Sequence, residues 1–267
     1  MVSKTIDNKR IWELDFLRGL AIIMMVFDHL MFDFAYLNNY FSNFSQVNNP
    51  VFNWLYEVAN LYWDSLLRFL GREFFVLLFL LISGISFTFS KNNFKRGSKL
   101  LLVALLITFV TYLIEVLLNI RVLIVFGVIH MFAFSILITA LIRKFIKSEI
   151  IILFIGMSVL TIGLVFGMFS PGFLPLTWAN LPKIILGLGR YGADYFGVVP
   201  YVGFILIGTV IGNLLYGNRV SLLPQYSLSK KNIFSIAGRN SLLVYVLHQP
   251  LVLVFVSILA YIFGYRF

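Results

Sequence analysis

The sequence predicts an all-α fold: a polytopic membrane helix bundle of about seven transmembrane helices, with a short re-entrant or interfacial segment and a cytoplasmic N-terminus. Composition is the first observation behind this. Of 267 residues, 60% are hydrophobic and only 12% are charged, against about 25% in a soluble domain, which leaves too few charges to coat a water-facing surface. The second is recurrence: apolar windows of roughly 20 residues, the length that crosses a bilayer core, repeat along the chain, and the mean hydropathy is +0.95. The third is the placement of charge, concentrated in short segments between those windows. A single membrane domain over residues 1–267 accounts for the whole length.

The elements follow in order. A first helix is expected over about Trp12 to Tyr36, with aromatic residues at both ends suited to the interface belts. Its apolar run is too long for a signal-peptide core and no small-residue cleavage site follows, so it is read as retained. Leu37 to about Leu70 is polar and aromatic, and Val51 to Phe69 reads as a helix lying in the interface. A second span covers about Arg72 to Phe89 before the basic loop Lys91 to Lys99. A third covers about Leu100 to Asn119, with Glu115 solvated at its outer end. A fourth covers about Val122 to Ile142 and a fifth about Ile150 to Phe169, stopping at Ser170-Pro171-Gly172. Leu181 to Gly189 is apolar but too short to cross and is broken by proline and glycine, which membranes tolerate only beside protein or a watery cavity. A sixth span covers about Val199 to Tyr216, and a seventh about Arg239 to Phe263 after a polar link carrying Lys230 and Lys231.

With the N-terminus inside, 15 of the 21 lysines and arginines fall on the cytoplasmic side, as the positive-inside rule requires. The net charge of +10 is explained this way, and no nucleic acid is expected as a partner. With no cysteine, disulfides, thiolate metal sites and a thioester-forming nucleophile are excluded.

Ionisable groups inside a membrane helix are expensive and read as functional by default. The first helix carries the densest set: Glu13, Asp15, Arg18, Asp28, His29 and Asp33. Arg18 and His29 are eleven residues apart, which at 100° per residue puts them on one face, roughly 16.5 Å apart along the axis. A coenzyme A pantetheine arm is about that long. Phosphates would meet the guanidinium fork while the thioester reaches the imidazole, whose ordinary pKa suits proton transfer near neutrality. Asp33, one turn on, would accept the other ring N–H of His29 and fix its tautomer, in the manner of a carboxylate-oriented general base. The plainer alternative is Arg18 paired with Asp15 and a hydrated Asp-His-Asp cluster at the outer edge.

The run "ELDFLRGLAIIMMVFDH" from Glu13 to His29 resembles the opening of membrane acyltransferases related to the catalytic domain of heparan-alpha-glucosaminide N-acetyltransferase. Four further blocks are similar to that family in the same order: "LFLLISGISFTFS" (Leu78 to Ser90), "VFGVIH" (Val125 to His130), "DYFGVVPYVGFILIGTVIG" (Asp194 to Gly212) and "GRNSLLVYVLHQPLV" (Gly238 to Val252). The resemblance implies acetyl transfer from acetyl-CoA to an amino or hydroxyl group of an extracytoplasmic sugar or glycan. It carries over His29, which with Asp28 and Asp33 of the same helix makes the catalytic candidates. It also carries over Arg18, Asp15, His130, Arg239, Asn240, Ser241, His248 and Gln249, which with Arg96 of the basic loop would hold the donor, and Asp194 and Tyr195, which would meet the acceptor. Arg68, Arg72 and Glu73, at the outer entry to the second span, read equally as acceptor contacts or as interface anchors. The family's histidine in the outer segment after the first helix has no counterpart, since Leu37 to Leu70 contains none, so direct transfer with His29 as base is favoured over an acetyl-histidine.

The bland readings are two satisfied bundle histidines at His130 and His248, and Asp194 capping the sixth span or pairing with Arg190. No metal is expected, because three histidines so far apart lack local ligand spacing. The glycines of Leu186 to Gly192 follow no strand and contain no Gly-Lys-Ser, so they do not read as a phosphate loop. The competing class is a small-solute or proton-coupled transporter, with the Asp-His-Asp cluster as proton relay. The expected setting is the plasma membrane, and a homodimer is compatible with it.

Overall fold

The computed structural model describes residues 11–192, 194–226 and 232–266, and every described regular element is a helix. The basic N-terminal Lys4, Lys9 and Arg10 and the linker residues Lys230 and Lys231 lie outside the described residues. In chain order the helices are α1 (Trp12–Ala35), α2 (Leu37–Tyr40), α3 (Phe44–Val47), α4 (Pro50–Trp63), α5 (Leu66–Phe89) and α6 (Asn93–Leu118). They continue with α7 (Val128–Phe145), α8 (Glu149–Val165), α9 (Leu181–Leu186), α10 (Tyr201–Tyr216), α11 (Ile233–Arg239) and α12 (Ser241–Ile262).

Four of these, α5, α6, α7 and α12, are long and apolar enough to cross a bilayer, and α8 and α10 are shorter apolar helices. The chain is a multi-pass membrane protein. At 24 residues α1 reaches about 36 Å, long enough to cross, but its carboxylates dilute its apolar character. α9 is six residues long and ends at Gly187, whose φ of 110° is a left-handed stop that glycine adopts without strain.

The chain packs as two compact units, one formed by residues 1–79 with 221–267 and the other by residues 80–220. In the first, α1 packs along α11, α12 and α4. Its apolar core gathers Phe34, Leu37, Phe41 and Phe52 against Val256, Ala260 and Tyr265, all buried. Asn49 caps α4 by accepting from the Val51 and Phe52 amides at 3.0 and 3.2 Å, as its type and position before a first-turn proline favour. α11 is an element the sequence reading missed. Asn232 caps it by accepting from the Phe234 and Ser235 amides, and it lies so close to α1 that Gly19 and Gly238 face each other's backbone. A β-carbon on Gly19 would strike the Phe234 carbonyl, and one on Gly238 the Asp15 carbonyl.

In the second unit α7 packs on α6 and α10, and α8 on α10. Gly84 of α5 and Gly208 of α10 form another close crossing: a β-carbon on either would come within 2.9 Å of the other's Cα. Small residues let membrane helices approach this way where lipid supplies no hydrophobic drive between them. Arg143, at the end of α7, donates to both oxygens of Glu149 at 2.7 and 2.8 Å and to the Thr209 hydroxyl at 2.6 Å, which ties α7, α8 and α10 at one end.

Two boundaries depart from expectation for a visible reason. The fourth span begins at Val128 rather than Val122, because α6 side chains capture the backbone before it. Glu115 accepts from the Val122 and Leu123 amides at 3.0 and 2.9 Å, and the Thr111 hydroxyl accepts from Ile124. Glu115 is therefore a structural acceptor, where the sequence reading had it solvated. The second span begins six residues early, at Leu66, because the Ser65 hydroxyl accepts from the Arg68 amide and caps the turn.

Candidate functional site

The ionisable residues of α1 divide between its two ends. Near its start, buried Glu13 accepts from the Ser221 hydroxyl and the Leu222 amide, both at 2.8 Å. Arg18 bonds Asp15 at 3.0 Å and the Gly238 carbonyl at 3.3 Å. The expected Arg18–Asp15 pair is thus present, and α11 adds a backbone acceptor that sequence spacing did not show. Asn240 joins α11 to α12 and donates to the Ile236 carbonyl at 2.9 Å, with half-buried Arg239 and Ser241 on either side.

Near the other end, half-buried His29 donates Nδ1–H to the Met25 carbonyl at 2.9 Å. A carbonyl only accepts, so Nδ1 carries the hydrogen and Nε2 presents its lone pair. The ring stands edge-to-face against His248 of α12, centroids 4.6 Å apart. His248 repeats the arrangement, with Nδ1 on the Tyr245 carbonyl, and its buried Nε2 has no partner. The two imidazoles each have Nδ1 held by a carbonyl of their own helix, with ring centroids 4.6 Å apart. Arg18 and His29 share the side of α1 that meets the continuous α11–α12 segment, as their spacing predicts.

Asp33 does not hold His29, contrary to the sequence reading. Its carboxylate is fully buried and accepts from Tyr40 at 3.1 Å and from the Gln249 amide at 3.1 and 3.3 Å. The Met25 carbonyl, one turn back on the same helix, takes the Nδ1–H of His29, and the Asp33 carboxylate is engaged by Tyr40 and Gln249. Asp33 acts instead as the junction of α1, α2 and α12, and Gln249 serves that junction. Asp28 is likewise committed elsewhere. Arg68 grips it with Nε at 2.9 Å and Nη2 at 3.3 Å, and Tyr62 donates to it at 3.1 Å. The guanidinium lies 3.5 Å above the Trp63 ring, which adds a cation–π contact. Burial, with the Asp28 carboxylate beside it, pushes the Tyr62 hydroxyl up to about 12. Burial and neighbouring Asp33 likewise push Tyr40 up. Both phenols therefore remain donors throughout the neutral range. Arg72 and Glu73 pair with each other on α5.

The remaining candidates belong to the other unit. His130 has both ring nitrogens occupied, Nδ1 accepting from the Gly127 amide at 3.2 Å and Nε2 meeting the Thr108 hydroxyl at 3.0 Å. It caps the start of α7, the arrangement that the plainer reading of a satisfied histidine describes. Asp194 accepts from the Val128 amide at 3.4 Å, at the start of α7 rather than of the sixth span. Tyr195 donates to the Ile184 carbonyl at 2.7 Å, and burial raises its pKa. Arg96 is half-buried in the first turn of α6.

Met25, Tyr40, Tyr62 and Gly238 complete the surroundings of the α1 groups and were not singled out from sequence, while Arg68, read there as an acceptor contact or interface anchor, is the partner of Asp28. A buried carboxylate predicts that donors exist, since it must be satisfied; it does not name them.

No curated protein and no solved structure gives a significant match. The family model described as heparan-alpha-glucosaminide N-acetyltransferase, catalytic, matches residues 10–61 and 52–250, which include both imidazoles and Arg18. With that match running over most of its length and the paired histidines inside it, the chain belongs to the heparan-alpha-glucosaminide N-acetyltransferase catalytic-domain family, a family of membrane acetyltransferases.

Proposed function

We propose that this protein transfers an acetyl or other short acyl group from cytoplasmic acyl-CoA to an amino or hydroxyl group of an extracytoplasmic sugar or glycan, by direct transfer with His29 as general base. It would do so as a seven-span protein of the plasma membrane with its N-terminus inside. The observation that carries this reading is the state of His29: Nδ1–H is held by Met25 at 2.9 Å, so Nε2 is an available base.

The acceptor's N–H or O–H gives its proton to His29 Nε2 as its heteroatom attacks the thioester carbon. A tetrahedral oxyanion forms. Its collapse breaks the C–S bond, and the departing thiolate takes the proton from His29 Nε2–H, which restores the neutral ring. The products are the acylated sugar and coenzyme A. General base catalysis of this kind contributes about 10²–10⁴-fold. His248 packs its ring on His29 at 4.6 Å and limits the imidazole's rotation, while its unpartnered Nε2 accepts a second hydrogen from the incoming amine or from water. Arg18 meets the donor's phosphates at the cytoplasmic end of the same face, sharing its charge with Asp15.

The test uses the purified protein with acetyl-CoA and glucosamine as acceptor probe. His29→Ala is expected to keep acetyl-CoA binding and lose acceptor-dependent release of free coenzyme A by at least 100-fold. Arg18→Ala is expected to lose binding. Normal acceptor-dependent release by His29→Ala would remove His29 from the chemistry.

A further inference from the structure

Residues 80–220 contain a second charged feature. A cleft of about 290 Å³ opens between the turn joining α5 to α6 and the last turn of α7, and Lys91, Asn92, Asn93, Arg143, Lys144 and Lys147 supply its polar lining. Among the described residues no carboxylate lines it. Arg143 is already neutralised, since Glu149 takes its fork. The three lysines are not: Lys91, Lys144 and Lys147 make no ion pair among the described residues, and the Lys147 ammonium donates only to the Arg143 carbonyl at 2.8 Å.

A further observation points the same way. The cleft includes the first residues of α6, a helix of 26 residues whose leading amides carry the positive end of its dipole. An occupant that fits is strongly anionic. The positive-inside rule accounts for the number of lysines at this level of the chain; it does not account for their convergence on one cleft with no carboxylate in its described lining.

We propose that this cleft binds a phosphate ester, held by the ammonium groups of Lys91, Lys144 and Lys147 and by the α6 N-terminus. Lysine suits phosphate as a mobile point charge. Two sources share this chemistry, the headgroup of an anionic phospholipid such as a glycerol phosphate and the ribose phosphate of a coenzyme A.

The experiment measures binding to the purified full-length protein by native mass spectrometry. Its probes are short-chain phosphatidylglycerol, short-chain phosphatidylcholine, coenzyme A and 3′-dephospho-coenzyme A. Lys144→Gln/Lys147→Gln removes two exposed cleft ammoniums, and Lys95→Gln/Lys99→Gln removes two equally exposed charges that do not line the cleft. Each ammonium near an anionic membrane surface contributes a factor of roughly five, so the first pair should weaken binding by roughly twentyfold and the second by much less. Loss confined to phosphatidylglycerol assigns the cleft to lipid. Loss confined to coenzyme A, and seen only with its 3′-phosphate present, assigns it to the nucleotide. Equal losses in the two double variants overturn the proposal, as does wild-type protein that prefers neither anionic probe over its control.

Discussion

Replacing Gly19 with alanine tests the packing on which the α1 site depends. A methyl at this position would occupy the space of the Phe234 carbonyl in α11, so the two helices must separate. Overpacking of this kind costs about 1–3 kcal/mol. Separation also stretches the 3.3 Å bond from Arg18 to the Gly238 carbonyl, a charged-donor bond worth about 1.5–3 kcal/mol when intact. Against this, alanine in a helix interior gains about 0.5–1 kcal/mol over glycine. The net is a loss of about 1.5–5.5 kcal/mol, on the order of 3–22 °C in Tm for a chain of this size. Gly71→Ala is the matched control: it is also inside a helix, but an added β-carbon there meets nothing within 4 Å, so only the propensity gain remains. Thermal unfolding of both variants in the same detergent gives the answer. Gly19→Ala should unfold earlier than wild type and Gly71→Ala slightly later. If both shift upward, or if Gly19→Ala is neutral, the close α1–α11 crossing is wrong.

Two other outcomes are expected from the same geometry. Asp28→Asn keeps the shape but leaves the Arg68 guanidinium half-buried over Trp63 without a counter-charge, a loss of about 1–3 kcal/mol; a double-mutant cycle with Arg68→Ala should show coupling, and simple additivity would contradict the fork at 2.9 and 3.3 Å. His130→Ala orphans the Gly127 amide, while the Thr108 hydroxyl keeps its bond to the Ile124 carbonyl, and should lower Tm by the equivalent of about 1–3 kcal/mol with KM for acetyl-CoA within twofold of wild type; a tenfold change in KM at unchanged Tm would assign His130 to the donor site.

Much of the helix pattern was legible because apolar runs end where chemistry ends them. Proline and glycine stop the short segment that the structure resolves as α9 (Leu181–Leu186), and the basic residues after Phe89 separate α5 from α6. The start of α7 was not legible. Residues 122–127 are as apolar as a helix would need, and their backbone is diverted by Glu115 and Thr111 from the preceding helix. α11 escaped notice for a related reason: seven residues are too few for a periodic signal, and its stability comes from lying against α1.

The candidate site divides along the same line. Sequence alone determined the membrane class, the family motifs, and the shared face of Arg18 and His29, because helical periodicity is a local property of the chain. Tertiary structure decided which group each charge meets. Asp33 finds Gln249 at a separation of 216 residues, Asp28 finds Arg68 at 40, and His29 finds the ring of His248. A carboxylate in an apolar setting requires donors, and many donors along a chain can meet that need. The one that does is fixed by which helices pack side by side, and no local pattern encodes it.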